Sequence, residues 1–202
     1  MSYQPYANKI LDLRRRITFV VFKKLRIVIY KYISTAEVRG NPIIEQPLQA
    51  GGHGEIHFLG KVQIGYFPSP LFFSTYAYIE ARTKRARIVI GDGTIINNGF
   101  SAIAEHTSIT IGRRVLIGAN VEIMDSNFHG LRVEDRLKSC AEWAEPVVIE
   151  DDVFIGSNVR VLKGVTIGRG AVVANGSVVV KDIPSGVVAG GNPARIIKAL
   201  PV

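Results

Sequence analysis

From Ile149 to Pro184 the apolar positions recur every six residues. The units read Ile-Glu-Asp-Asp-Val-Phe, Ile-Gly-Ser-Asn-Val-Arg, Val-Leu-Lys-Gly-Val-Thr, Ile-Gly-Arg-Gly-Ala-Val, Val-Ala-Asn-Gly-Ser-Val and Val-Val-Lys-Asp-Ile-Pro. Position one is always aliphatic: Ile149, Ile155, Val161, Ile167, Val173, Val179. Position five is small or β-branched: Val153, Val159, Val165, Ala171, Ser177, Ile183. Between them stand Asn, Asp, Gly, Ser, Arg and Lys, several of which accept the positive φ that tight corners need. A period of six fits neither an amphipathic helix nor an alternating strand. It predicts an all-β solenoid, a parallel β-helix whose short strands meet at corners and whose coils stack. Eighteen residues make three sides, with the position-one side chains inside. Val-Ile-Gly runs also occur in sandwich strands, but not as six units in unbroken register.

Upstream the pattern is less regular. Residues 8–33 read as a helix with Ile10, Leu13, Ile17, Val21, Val28 and Tyr32 near one face. Two readings of it stay open: docking on the solenoid end or a neighbouring subunit, or a basic helix lying at the inner membrane. Strand-like spacing starts at Gly51, and Ile64-Gly65 opens the first coil. Tyr66–Thr83 is irregular and aromatic, with Tyr66, Phe67, Phe72 and Phe73 as core or capping material. Hexads run from Ile90 and Ile96 through Ala102, slip by three residues around Glu105–Ser108, and resume at Ile111, Ile117 and Ile123. The register then breaks for 26 residues, from Ile123 to Ile149. A stacked solenoid tolerates that insertion only as a loop projecting from a corner, where function tends to sit. The chain thus divides into a basic helix and connector (1–50), a β-helix (51–184) carrying an inserted loop (124–148), and a tail (185–202) in which Pro193 starts a short C-terminal helix.

Composition narrows the setting. A chain of 202 residues with 47% apolar content supports one main core. The single cysteine, Cys140, excludes an intrachain disulfide and suits a reducing cytoplasm. No apolar stretch near the N-terminus is long enough to span a bilayer or to form a signal-peptide core, so cytoplasmic residence, with possible peripheral membrane contact, is expected. Net charge is +8, and residues 1–40 hold nine Lys/Arg against two acidic residues. That end suits anionic lipid or a polyanionic glycan; nothing else points to nucleic acid.

The paired hexad blocks, the His-bearing loop, Val-Lys-Asp-Ile-Pro and Gly-Gly-Asn-Pro-Ala-Arg-Ile-Ile-Lys together resemble the hexapeptide-repeat acyltransferases. The nearest branch is that of the maltose, galactoside and polysaccharide O-acetyltransferases. The resemblance covers roughly Ile88 to Lys198, and residues 1–50 contribute nothing to it. It implies a left-handed β-helix, a homotrimer with active sites between subunits, and acetyl-CoA as co-substrate, with no metal. It also implies that His129, in Met-Asp-Ser-Asn-Phe-His-Gly-Leu, is the general base that takes a proton from a sugar hydroxyl as it attacks the thioester. A backbone N–H would stabilise the oxyanion. Gly130 stands where relatives carry proline, a difference that bears on loop shape.

By position, the resemblance assigns Asn98, Asp125, Glu105 and His106 to the acceptor. It assigns Ser157, Asn175, Val180, Lys181, Arg195 and Lys198 to coenzyme A, whose phosphates attract fixed cations. Phe154 stands where relatives often hold tryptophan. The implied reaction is O-acetylation of a sugar of a bacterial surface polysaccharide, capsule or lipopolysaccharide. The rivals are N-acetylation of an amino sugar or antibiotic, and a non-catalytic hexapeptide scaffold. A zinc site of the carbonic anhydrase kind is disfavoured by only four histidines, His53, His57, His106 and His129, without ligand spacing. Cys140 as nucleophile has no partnering histidine motif.

Overall fold

The structure, a computed structural model, describes residues 13–201. It is a three-sided parallel β-helix preceded by one helix, α1 (Leu13–Ile33). Side one stacks Val38–Arg39, Glu55–Phe58, Arg87–Ile90, Ser108–Ile111, Val147–Ile149 and Thr166–Ile167. Side two carries Ile43–Ile44, Gln63–Ile64, Ile95–Ile96, Leu116–Ile117, Phe154–Ile155 and Val172–Val173; side three carries Leu48–Gly52, Ala77–Ala81, Ser101–Ala104, Glu122–Met124, Arg160–Val161 and Val178–Val179. The second corner joins sides two and three. The third corner leads from side three into the next coil.

The hexad reading holds along its whole length. Ile149, Ile155, Val161, Ile167, Val173 and Val179 are all buried, as are the six position-five residues. Each full burial of such a side chain contributes about 1.5–3 kcal/mol before conformational entropy is counted. Position four takes the left-handed backbone at Gly164, Gly170 and Gly176, and also at Asn120, Asp152, Asn158 and even Arg114. Polar residues at the corners cap the coil below: Asp151 Oδ1 accepts from the Arg113 N–H at 2.8 Å and Ser157 Oγ from the Ala119 N–H at 3.1 Å.

Three expectations need correction. The solenoid begins at Val38, not at residue 51: Val38, Ile44 and Ala50 pair with Ile56, Ile64 and Ile79 of the next coil. Val38, Ile44, Ala50, Ile56 and Val62 do stand six apart, but prolines 42 and 47 and the polar residues between them obscure the repeat. Part of the aromatic segment is regular too, since Ala77–Ala81 is a strand of side three. The C-terminal helix is absent. Val187–Gly191 and Ala194–Ala199 form an antiparallel hairpin on side two, turning at Gly191 (φ 105°) and Pro193. Val187, Val188, Ile196 and Ile197 favour extended backbone, and the hairpin covers the last edge of the sheet.

Of the predicted helix 8–33, residues 8–12 lie outside the described residues. The face marked by Ile17, Val21, Val28 and Tyr32 is exposed. The helix docks instead through the opposite face: Phe19 meets Phe67, Phe72 and Phe73, and Tyr30 meets Tyr76.

Candidate active site

The long insertion leaves the third corner after Met124 and returns at Val147, with two short 3-10 turns, Val133–Asp135 and Ala141–Trp143. Its base is held by a buried carboxylate. Asp125 is 0% exposed, and its oxygens accept from the N–H groups of Glu105 (2.7 Å), His106 (3.2 Å) and Thr107 (2.7 Å) and from the Thr107 hydroxyl (2.9 Å). The three-residue slip at Glu105–Thr107 is therefore a turn capped from the coil above. All the hydrogen bonds of the Asp125 carboxylate go to that turn. It neither orients His129 nor presents itself to an acceptor, contrary to the sequence reading.

Glu105 is also a support. Its carboxylate takes the Arg82 guanidinium at 3.2 Å on Oε1 and the Ser126 hydroxyl at 2.6 Å on Oε2. Arg82 is clamped in turn by both oxygens of Glu80 (3.2 and 3.1 Å). Burial pushes the Glu105 carboxyl up, but hydrogen bonds from Ser126 and Ser139 and the Arg82 charge prevail, holding it below the usual carboxylate range. Its anchoring is therefore intact at neutral pH and is lost only as acid titrates it through that depressed value.

Ser126 Oγ accepts from the Phe128 N–H at 3.0 Å, and the Phe128 ring lies under the Arg82 guanidinium at 4.9 Å. Phe128 has φ 60°, a strained conformation for an aromatic residue. Such strain persists only where surrounding contacts impose it, and it clusters at functional sites. Here it delivers His129, the next residue, to the surface. His129 Nδ1 lies 2.6 Å from the Arg136 carbonyl oxygen. A carbonyl only accepts, so Nδ1 carries the hydrogen and the Nε2 lone pair is left for chemistry.

His129 lines an open cleft of about 670 Å³ with Met124, Ser126, Asn127, Gly130, Leu131, Arg136, Leu162 and Lys163. Lys163 is tied back to the Trp143 carbonyl (2.7 Å) and Glu145 Oε1 (2.9 Å). Val161 pairs with Val179 in the next coil, which sets Val180 and Lys181 above Leu162 and Lys163. A column of half-apolar, half-cationic side chains thus leads from the cleft toward the C-terminal end.

Gly130 is buried and packed too tightly for any side chain. A Cβ there would stand 2.7 Å from both the Asp135 carbonyl oxygen and the Trp143 ring, and closer still to the Asp135 side chain. Gly130→Ala is expected to displace the segment that presents His129. It should lower kcat by at least about tenfold, about 1.4 kcal/mol of barrier, with the melting temperature nearly unchanged. An alanine variant with wild-type turnover would show that the loop re-forms without this contact.

The other expected residues distribute unevenly. His106 reaches the same corner, with Nε2 at 3.3 Å from the Ser139 hydroxyl. Asn98 does not. It is 0% exposed at the second corner, and its amide is spent on the backbone of Tyr66 (3.0 Å, twice) and Pro70 (2.8 Å). With Gln46, which bonds Leu71 and Thr75, it pins the aromatic loop, so the acceptor role is withdrawn. Ser157 and Asn175 also sit at the second corner, where Asn175 Oδ1 caps the Ser157 N–H at 2.8 Å. Arg195 and Lys198 are exposed on the terminal hairpin. Residues that sequence reasoning missed are Arg82, Ser126, Arg136, Trp143 and Lys163; only Ser126, inside the His129 segment, carried a local signal.

Comparison with known proteins bears on this corner directly. The family described as the hexapeptide repeat of succinyl-transferase matches residues 108–136, which take in the first half of the loop, and residues 146–181 beyond it. A Saccharomyces cerevisiae protein classed as an acetyltransferase, YJL218W, is 37% identical over 70% of this chain and 67% of its own length. The chain belongs to the hexapeptide-repeat acetyltransferases. A crystal structure of another such acetyltransferase, from Vibrio cholerae O1 biovar eltor with acetyl coenzyme A, is 28% identical with a TM-score of 0.54, covering 93% of this chain and 85% of that one. The polysialic acid O-acetyltransferase of Escherichia coli O1:K1 is 38% identical over 57% of this acetyltransferase and 38% of its own length. A Clostridium perfringens tetrahydropyridine-dicarboxylate N-acetyltransferase is 62% identical, but over only 27% of this chain and 23% of its own.

Proposed function

We propose that the protein transfers the acetyl group of acetyl-CoA to a sugar hydroxyl of a surface polysaccharide, capsule or lipopolysaccharide, with His129 as general base. The observation that carries this reading is the Nδ1 contact with the Arg136 carbonyl, which leaves Nε2 basic at the lip of an open cleft. As the hydroxyl oxygen forms a bond to the thioester carbon, its proton passes to Nε2; the C–S bond then breaks and the thiolate recovers that proton. No covalent enzyme intermediate is needed.

Coenzyme A lies, in this reading, along Leu162, Val180, Lys163 and Lys181, while Arg195 and Lys198, on the side-two hairpin, would meet its phosphates from a neighbouring subunit. Ser157 and Asn175 stand at a different corner, a full side of the prism away. They reach the same ligand only if a neighbouring subunit supplies that corner, which favours a homotrimer with clefts between subunits. Left-handed winding belongs to the same reading.

The test is acetyl transfer to a panel of sugars, nucleotide sugars, oligosaccharides and amino sugars, with each product treated with mild alkali. An ester on a hydroxyl acceptor is cleaved by alkali and an amide is not. Alkali-labile product is expected; an alkali-resistant product formed faster than any ester would move the assignment to N-acetylation. Absence of both transfer and acetyl-CoA binding would favour a non-catalytic scaffold.

A further inference from the structure

Helix α1 has one face too many. It docks through Phe19, Lys23, Arg26 and Tyr30, spaced i, i+4, i+7 and i+11. Phe19 lies 4.7 Å from the Phe67 ring, Lys23 pairs with Glu45, Arg26 donates to the Phe72 carbonyl at 3.0 Å, and Tyr30 lies 4.6 Å from the Tyr76 ring. The opposite face carries Ile17, Val21, Leu25, Val28 and Tyr32, each more than half exposed and Tyr32 90% so. At about 1.5 Å per residue this stripe runs most of the length of a helix of 21 residues.

The charges on the helix say what suits that face. It contains seven Lys/Arg and no Asp or Glu. Lys23 and Arg26 are used in docking, while Lys24 and Lys31 flank the stripe on one side and Arg14 stands at its start. Beside the stripe, Phe22 of the helix and Phe73 of the aromatic loop extend the exposed apolar surface, their rings 5.9 Å apart. Among the described residues no helix is long and apolar enough to cross a membrane.

We propose that the outer face of α1 docks the protein on an anionic lipid bilayer, the helix lying in the plane of the interface. An apolar stripe on a helix whose only charges are cations matches acyl chains below and phosphate headgroups around it. A second copy fits less well, because face-to-face helices would bring Arg14, Lys24 and Lys31 of one copy toward the same cations of the other. The inference is independent of the acetyl-transfer reading and fails or stands separately.

The test is flotation of the full chain with vesicles of phosphatidylcholine, with and without phosphatidylglycerol. Binding is expected only with phosphatidylglycerol, and it should weaken as salt is raised. Val21→Asp with Val28→Asp should reduce it at least about tenfold, with circular dichroism, sedimentation mass and transfer to a soluble acceptor unchanged, since both side chains are more than half exposed on the face opposite the docked one. Failure of the wild type to float, or equal flotation of the variant, would overturn the proposal. A fall in sedimentation mass in the variant would assign the stripe to contact between copies instead.

Discussion

His129→Ala should slow acetyl transfer by about 10²–10⁴-fold, the usual contribution of a positioned general base. The loss should fall on kcat and kcat/KM together, because the imidazole acts only as the hydroxyl proton moves. Binding of acetyl-CoA should persist, since the residues proposed to hold it stand on higher coils. The fold should persist as well: the His129 side chain is exposed and bonds the Arg136 carbonyl within the loop. Steady-state kinetics, with calorimetry for coenzyme binding, separate these effects. A variant with more than about a tenth of wild-type turnover would remove His129 as the base, because losing a positioned base costs at least about a hundredfold.

Asp125→Ala should have the largest effect on stability. It removes the acceptor for three backbone N–H groups and one hydroxyl at a site closed to solvent. Each buried donor left unpaired costs about 1–3 kcal/mol, and water entering the gap recovers part of that, so a loss of about 3–5 kcal/mol is expected. For a chain of this size that lowers Tm by about 6–20 °C. Asp125→Asn, which keeps one carbonyl oxygen, should lose less. Thermal or urea unfolding decides it, and a change under about 1 kcal/mol for the alanine variant would show that the Glu105–Thr107 turn holds without its cap. Activity is expected to fall in step with stability, because Ser126 and Phe128 leave the same corner.

The two variants therefore separate roles that residue type alone merges. Asp125, Glu105 and His129 are three polar residues at one loop base. Glu105 and Asp125 hold the backbone that the strained Phe128 turns outward, and His129 alone among them lines the open cleft. Asn98 teaches the same point at another corner, where its amide is consumed by the loop beneath.

What the sequence by itself determined is the solenoid from Ile90 onward, the place of the inserted loop and the histidine it carries. The reason is that a hexad repeat is local: each unit states its own inward and corner positions, and stacking simply adds them. Even the first coil was there to be read in the six-residue spacing of Val38, Ile44 and Ala50. Only the tertiary structure decided which polar side chains are spent. Stacking places residues a coil apart in contact, and the insertion stretches that interval: Arg114 meets Asp152, Glu122 meets Arg160 and Asn120 meets Asn158, each 38 residues apart. The face of α1 that docks and the hairpin at Pro193 were decided the same way. Phe19 had to meet three phenylalanines from a distant loop, and Val187–Gly191 needed a partner for an open sheet edge; neither need is visible within one turn of chain.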